Sequence, residues 1–262
     1  MTWWVLVLRK GNDHRVTAVG LTFRENIRDP LVARLIGPGR LAELEEVVVA
    51  GRRQQVIKGS PRNLAGIYRQ GMAFPDRLAV VHDGAALTYA ELFARAAALG
   101  RALRDDFGLK RGMTVAMVTA NRPEWIVSLL AITGAGGIAA LVNSRGVAEE
   151  MLRAIDKVGC SMAILDAERD DVITAALPDT PWPRIVIGAA KTPLRAGRDG
   201  DYAALAEPLA GLEFAPEEMP PEHGAIILFT SGTTGFPKGA LISHGALAAS
   251  VSVACFMGAL QD

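Results

Sequence analysis

The stretch Ala225-Ile226-Ile227-Leu228-Phe229-Thr230-Ser231-Gly232-Thr233-Thr234-Gly235-Phe236-Pro237-Lys238-Gly239 decides how this chain is read. Its first five residues form an uninterrupted apolar run, the pattern of a strand buried on both faces. The ten that follow are mostly small hydroxyl residues and glycines, with one lysine. Such a segment suits the cradling of a phosphate. Glycine lets the backbone approach an anion closely, so that several N–H groups can converge on it. Thr230, Ser231, Thr233 and Thr234 add short hydroxyl donors, and Gly232 and Gly235 offer backbone contacts. Lys238 is the segment's one strong positive charge and reaches phosphate oxygens as a flexible point charge. Pro237 stiffens the chain beside it. The spacing excludes the P-loop of nucleotide triphosphatases, because five residues after Gly232 stands Pro237 and the glycine follows the lysine. It equally excludes the Gly-x-Gly-x-x-Gly dinucleotide pattern. An ordinary Gly/Ser/Thr surface turn has a similar composition. The buried strand before it and the lone lysine speak against that reading.

Working upstream, short apolar runs alternate with helical patterns. Asn63 to Gly71 reads as a helix, and Pro75 separates it from a strand at Leu78 to Val81. Asp83-Gly84 is a turn signal. Thr88-x-x-Glu91 is a capping box, and Leu92, Ala96, Leu99 and Leu103 then share one helical face. Gly108 suits the left-handed residue after that helix. Strands are expected at Thr114–Val118, Ile138–Val142, Ser161–Leu165 and Arg184–Gly188. Helices are expected from Pro123, at Val147–Val158 and at Tyr202–Leu209. Glu149 and Glu150 suit a helix start rather than acid–base work. Asn121 and Arg122 follow a strand end and read as opening a helix. Downstream, Ser243 reads as the N-cap of a helix from His244 to Phe256. His244 then sits in the first turn, where the dipole favours neutral imidazole. His14, His82 and His223 have no partner that sequence reveals. Strands alternating with helices imply βαβ units: an α/β fold with a mainly parallel sheet and helices on both faces. Ligands in such folds gather at the carboxyl ends of the strands.

Residues 1–62 are read as an N-terminal extension and basic linker, and 63–262 as the main domain. Trp3 to Leu8 reads as a strand, Arg40 to Val49 as a short amphipathic helix, and Gly51 to Arg62 as a basic, turn-rich linker. The 262 residues are half hydrophobic and carry 28 basic and 28 acidic groups, which excludes disorder over most of the length. The zero net charge gives no reason to expect nucleic acid as a partner. Residues 1–70 hold 12 basic and 6 acidic groups, so any electrostatic partner would be met there. Cys160 and Cys255 lie in apolar sequence without metal-ligand spacing, and are read as two buried, reduced thiols in a cytoplasmic protein. No apolar stretch reads as a membrane span or a signal peptide.

Thr230 to Gly239 resembles the signature of the adenylate-forming (AMP-binding) superfamily, which includes acyl-CoA synthetases, beetle luciferases and peptide-synthetase adenylation domains. Weaker resemblance covers most of 63–262, including Leu87-Thr88-Tyr89-Ala90-Glu91-Leu92, Asn121-Arg122-Pro123-Glu124, Gly136 to Asn143, and Ser243-His244. The resemblance implies that ATP and a carboxylic acid form an acyl-adenylate and pyrophosphate, after which coenzyme A takes the acyl group. A fatty acid is the expected substrate by family analogy. It further implies that the signature loop wraps the β- and γ-phosphates, with Lys238 as the charge neutraliser. No Tyr-Gly-x-Thr-Glu string is found, so the family's Mg2+ site is expected to be incomplete here. The chain resembles an incomplete N-terminal portion of the large adenylate-forming domain. As such it is expected to be inactive alone and to associate through an unpaired sheet edge. The other readings are a non-catalytic phosphate-binding remnant or interaction module, and an adenylation domain serving a carrier protein. A peripheral membrane location is also compatible with an apolar substrate.

Overall fold

Along the strand Thr114–Val118, Val115 and Met117 enter one apolar cluster while Ala116 and Val118 enter another. Met162 and Ile164 alternate with Ala163 and Leu165 in the same way. Side chains of a strand point alternately to opposite faces, so both faces of this sheet are buried. That explains why these strands read as continuous apolar runs.

The computed structural model describes residues 6–8, 39, 42–230 and 238–258, with only the backbone described at 6–8, 230 and 256–258. The described elements are, in order, β1 (Leu6–Leu8), β2 (Leu44–Val49), β3 (Arg52–Ile57), α1 (Leu64–Met72), β4 (Leu78–His82), β5 (Ala85–Thr88), α2 (Tyr89–Asp105), β6 (Thr114–Val118), α3 (Pro123–Gly134), β7 (Ile138–Leu141), α4 (Ala148–Lys157), β8 (Met162–Asp166), α5 (Ala167–Ala176), β9 (Arg184–Ile187), β10 (Gly200–Asp201), α6 (Tyr202–Leu205), β11 (Gly224–Thr230), β12 (Lys238–Ser243) and α7 (His244–Gly258). Seven strands form the main sheet in the order β10-β9-β8-β6-β7-β11-β12. All neighbours in it are parallel except β11 and β12, which are antiparallel. One face packs with α1, α2 and α3 and the other with α4 and α5. The expected α/β architecture is therefore present.

Local chemistry accounts for many of the element ends. Thr88 Oγ1 accepts from Glu91 N at 3.2 Å and Glu91 Oε2 accepts from Thr88 N at 2.7 Å, a complete capping box at the start of α2. Asp83 and Gly84 take φ of 47° and 80° between β4 and β5, the two-residue hairpin turn their types favour. Pro123 occupies the first turn of α3.

Of the expected helix at Arg40–Val49, Leu44–Val49 is a strand instead, and Arg40 and Leu41 lie outside the described residues. Val47-Val48-Val49 is β-branched, and Ala50-Gly51, with φ of 48° and 76°, turns the chain back into β3. β3 in turn replaces the middle of the expected linker. The antiparallel backbone ladder joins the two strands, and exposed ion pairs flank it: Arg53 to Glu46 at 3.1 Å and Lys58 to Glu43 at 3.0 Å, with Arg62 on Glu45 beside them. The expected strand Trp3–Leu8 is described as Leu6–Leu8 and pairs parallel with β4. The helix expected to reach Leu209 ends at Leu205. The buried strand Ala225–Phe229 is covered only in part, because Leu228 is 40% exposed.

Candidate functional site

β11 lies parallel to β7 and turns back into β12, so the register sets Thr230 opposite Lys238 and Phe229 opposite Gly239. The two ends of the glycine-rich string thus meet at the carboxyl end of an inner strand of a mainly parallel sheet, where such folds place their ligands. Residues 231–237, which include Ser231, Gly232, Thr233, Thr234 and Gly235, lie outside the described residues. Of the expected site, the structure places the backbone of Thr230 and the exposed Lys238. β12 itself was not legible in the sequence. Its residues Lys238-Gly239-Ala240-Leu241-Ile242-Ser243 lack a charge pattern, and pairing with β11 makes them a strand.

The opposite end of this hairpin is clasped. His244 N donates to His223 O and Gly245 N to Pro221 O, both at 2.8 Å. Ser243 Oγ accepts from Ala246 N at 3.3 Å, which is the cap expected of it. A Cβ at Gly245 would meet Pro221 O at 3.0 Å, so this close approach requires glycine. The His244 side chain is fully buried, and neither ring nitrogen has a partner among the described residues. Burial, with His223 nearby, lowers its pKa to about 4.

Three neighbouring loops at the carboxyl end of the sheet, the end where Thr230 meets Lys238, are tied together. Asp166, the last residue of β8, accepts from Ala120 N after β6 at 2.8 Å and from Arg169 N at 3.0 Å. Arg169 Nε donates to Ser144 O after β7 at 2.9 Å. The sequence reading missed this Asp166–Arg169 brace. An aspartate at a strand end followed three residues later by arginine was its only local signal, and the partners come from separate loops. Arg122 opens α3 and pairs with Glu124 at 2.9 Å, the helix-opening role expected for it. Glu149 lies in the first turn of α4 and pairs with Arg153.

The reading of two buried thiols needs correction. Cys160 is partly buried and its pKa is pushed up to about 12, whereas Cys255, on α7, is exposed. Among the described residues no three His, Cys, Asp or Glu side chains gather as a metal site. No helix among them is long and apolar enough to cross a membrane.

The sequence pattern of the AMP-binding enzyme family matches residues 67–261. A medium/long-chain-fatty-acid–CoA/3-oxocholest-4-en-26-oate–CoA ligase of Mycobacterium marinum is 34% identical over 179 residues, covering 66% of this chain and 32% of its own. A feruloyl-CoA synthase of an Amycolatopsis species is 32% identical over 184 residues, covering 68% of this chain and 33% of its own. A solved Rhodopseudomonas palustris protein assigned as a long-chain-fatty-acid CoA ligase superposes with a TM-score of 0.63 at 29% identity, over 74% of this chain and 47% of that one. The chain thus spans about a third of the length of the curated relatives it matches.

Proposed function

Because the chain belongs to the AMP-binding enzyme family, we propose that it carries the phosphate-gripping part of a ligase that activates a carboxylic acid with ATP and passes the acyl group to coenzyme A. The register that brings Thr230 and Lys238 together at the carboxyl end of β11 carries this reading. In the reaction a carboxylate oxygen attacks the α-phosphorus of ATP, the bond to the bridging oxygen breaks, and pyrophosphate leaves with the electron pair. Negative charge therefore grows on the β- and γ-phosphates. Preorganised donors are worth most where charge develops. We assign Thr230, Ser231, Thr233 and Thr234 as hydroxyl donors, Gly232 and Gly235 as backbone donors, and Lys238 as the charge that offsets pyrophosphate. The family relatives support a fatty or aromatic acid, and we favour a fatty acid. ATP and coenzyme A are abundant in the cytoplasm, where we place the reaction. The family's chemistry also calls for Mg2+. The described residues offer no carboxylate cluster to hold it, and no step here is routed through it.

Calorimetric titration of the 262-residue chain with ATP and with pyrophosphate tests the assignment. Lys238→Ala is expected to weaken both by at least tenfold, and equal binding would remove Lys238 from the site. Acid-dependent ATP–pyrophosphate exchange by the product that the host makes, measured with octanoate, palmitate and ferulate, then tests the activity and ranks the acids. No exchange with any acid would leave only a phosphate-binding function.

A further inference from the structure

The base of the β11–β12 hairpin, at the end away from Thr230 and Lys238, brings two histidines together. Gly224 and Ser243 close the antiparallel ladder, and His223 and His244 are the next residue on either side. His244 N donates to His223 O at 2.8 Å, which carries the pairing one step further. Gly245 N donates to Pro221 O at 2.8 Å, and a Cβ on Gly245 would stand 2.9 Å from Pro221 Cβ, so the two segments touch here. Residues directly opposite in an antiparallel pair have Cβ atoms about 4.5–5.5 Å apart on one face. Neither imidazole is engaged by the rest of the fold. His244 is fully buried, and both of its ring nitrogens lack a hydrogen-bond partner among the described residues. Nδ1 of the half-buried His223 is likewise enclosed and unpaired. An enclosed polar atom without a partner forfeits the hydrogen bond it makes in water, so three in one residue pair call for an occupant. Neutral imidazole keeps a lone pair on one ring nitrogen, and it is the commonest protein ligand for metals.

We propose that His223 and His244 together bind one divalent transition-metal ion of the class imidazole prefers, represented by Zn2+. No third His, Cys, Asp or Glu side chain joins them among the described residues, so water completes the tetrahedral site. His223 is partly exposed, which leaves a solvent side for the ion to enter and for those waters to occupy. Mg2+ and Ca2+ take oxygen ligands and do not compete for two ring nitrogens. The ion links the residue before β11 to the first residue of α7 and so clamps the hairpin at its base. The site draws nothing from the phosphate-loop assignment and stands or falls separately.

Calorimetric titration of the chelator-stripped 262-residue chain with zinc chloride at neutral pH tests the proposal. Saturable binding of one ion per chain is expected, unchanged by excess magnesium chloride, with a rise in Tm because the ion binds the folded state. His223→Gln, at the half-buried position, should keep the circular dichroism of the unaltered chain, weaken zinc at least tenfold and remove the rise in Tm. His244→Gln should do the same where it folds. His82→Gln and Cys255→Ser, which alter a ring and a thiol elsewhere, should bind zinc as the unaltered chain does. Diethyl pyrocarbonate labelling mapped by mass spectrometry needs no variant. Zinc is expected to protect His223 at least tenfold and to leave His82 labelled. Absent zinc binding, equal affinity in His223→Gln or unprotected His223 would overturn the proposal and leave ordered water as the partner of these nitrogens. One ion per two chains would also overturn it, since the metal would then lie between copies.

Discussion

At the scale of single residues, the structure separates two buried ionisable groups that look alike in sequence. Arg184 is 1% exposed, and its Nη1 donates to both Asp170 oxygens at 2.8 and 3.0 Å. Its Nε and Nη2 reach Asp199 Oδ2 at 3.3 and 2.9 Å, and Nη2 also donates to Pro193 O at 3.0 Å. Burial by itself raises the Asp199 pKa. Hydrogen bonds from Arg195, from the backbone N–H groups of Arg184 and Arg195, and from the Arg184 side chain outweigh that effect and hold the carboxyl well below its usual range. Arg184→Met strands the buried Asp170 carboxylate, leaves Asp199 to Arg195, and is expected to cost about 3–5 kcal/mol in urea denaturation at 25 °C. His244 is the opposite case, buried with no described partner for its ring. Its folded pKa, about 4, lies below the ordinary imidazole value of 6.5, so the unfolded chain binds more protons between those values. The neutral imidazole's contribution is complete above pH 6.5 and is lost as pH falls towards 4. At pH 5 the loss is about 2 kcal/mol. Urea melts at pH 7 and pH 5 should show that difference, and His244→Leu should remove it. The sequence placed His244 in the first turn of a helix, which was right. Its burial depended on Pro221 and His223 closing over that turn, a contact that local pattern cannot reveal.

At the scale of elements, the capping box of α2 was readable because all its chemistry lies within four residues. Thr88→Ala is expected to cost about 1 kcal/mol in thermal or urea unfolding. α5 was missed for a related reason. Its run Glu168-Arg169-Asp170-Asp171 has the look of a solvated loop, yet Asp170 and Thr174 face inward. Their partners, Arg184 and Thr192, lie beyond the helix. β2 was misread because an apolar and acidic alternation over ten residues serves a helix or a strand, and the turn at Ala50-Gly51 settles the matter only once β3 pairs back. β12 is an edge strand with Leu241 61% exposed, and Leu228 beside it is also uncovered. Such an edge invites pairing with another chain. Sedimentation velocity should therefore show association that rises with concentration. Leu241→Lys, which places a charge on the edge, should shift the protein towards monomer. A monomer at all concentrations would show that the edge is covered in solution.

At the scale of the whole molecule, the family match starts at residue 67, while β1, upstream of the boundary proposed near residue 62, pairs with β4 downstream of it. The hairpin β2–β3 is held mainly by its own cross-strand pairs, with Arg62 bridging back to Glu45. Deleting the hairpin alone, residues 43–58, should therefore leave the rest of the chain, with β1 still present to pair with β4, its helical and sheet signature in circular dichroism and a cooperative melt. A molten product would show that the hairpin, which meets α7 through β3, belongs to the main core.

The alternation of buried strands and helices and the helix caps were determined by sequence alone. Each depends on side chains within one turn or one strand, where spacing translates directly into geometry. Only the tertiary structure decided the strand identity of β2 and β12, the Asp166–Arg169 brace, the buried Arg184 network and the exposure of Cys255. Each of these depends on which distant segment packs opposite, and a buried charge or an edge strand is defined by its neighbours rather than by its own residues.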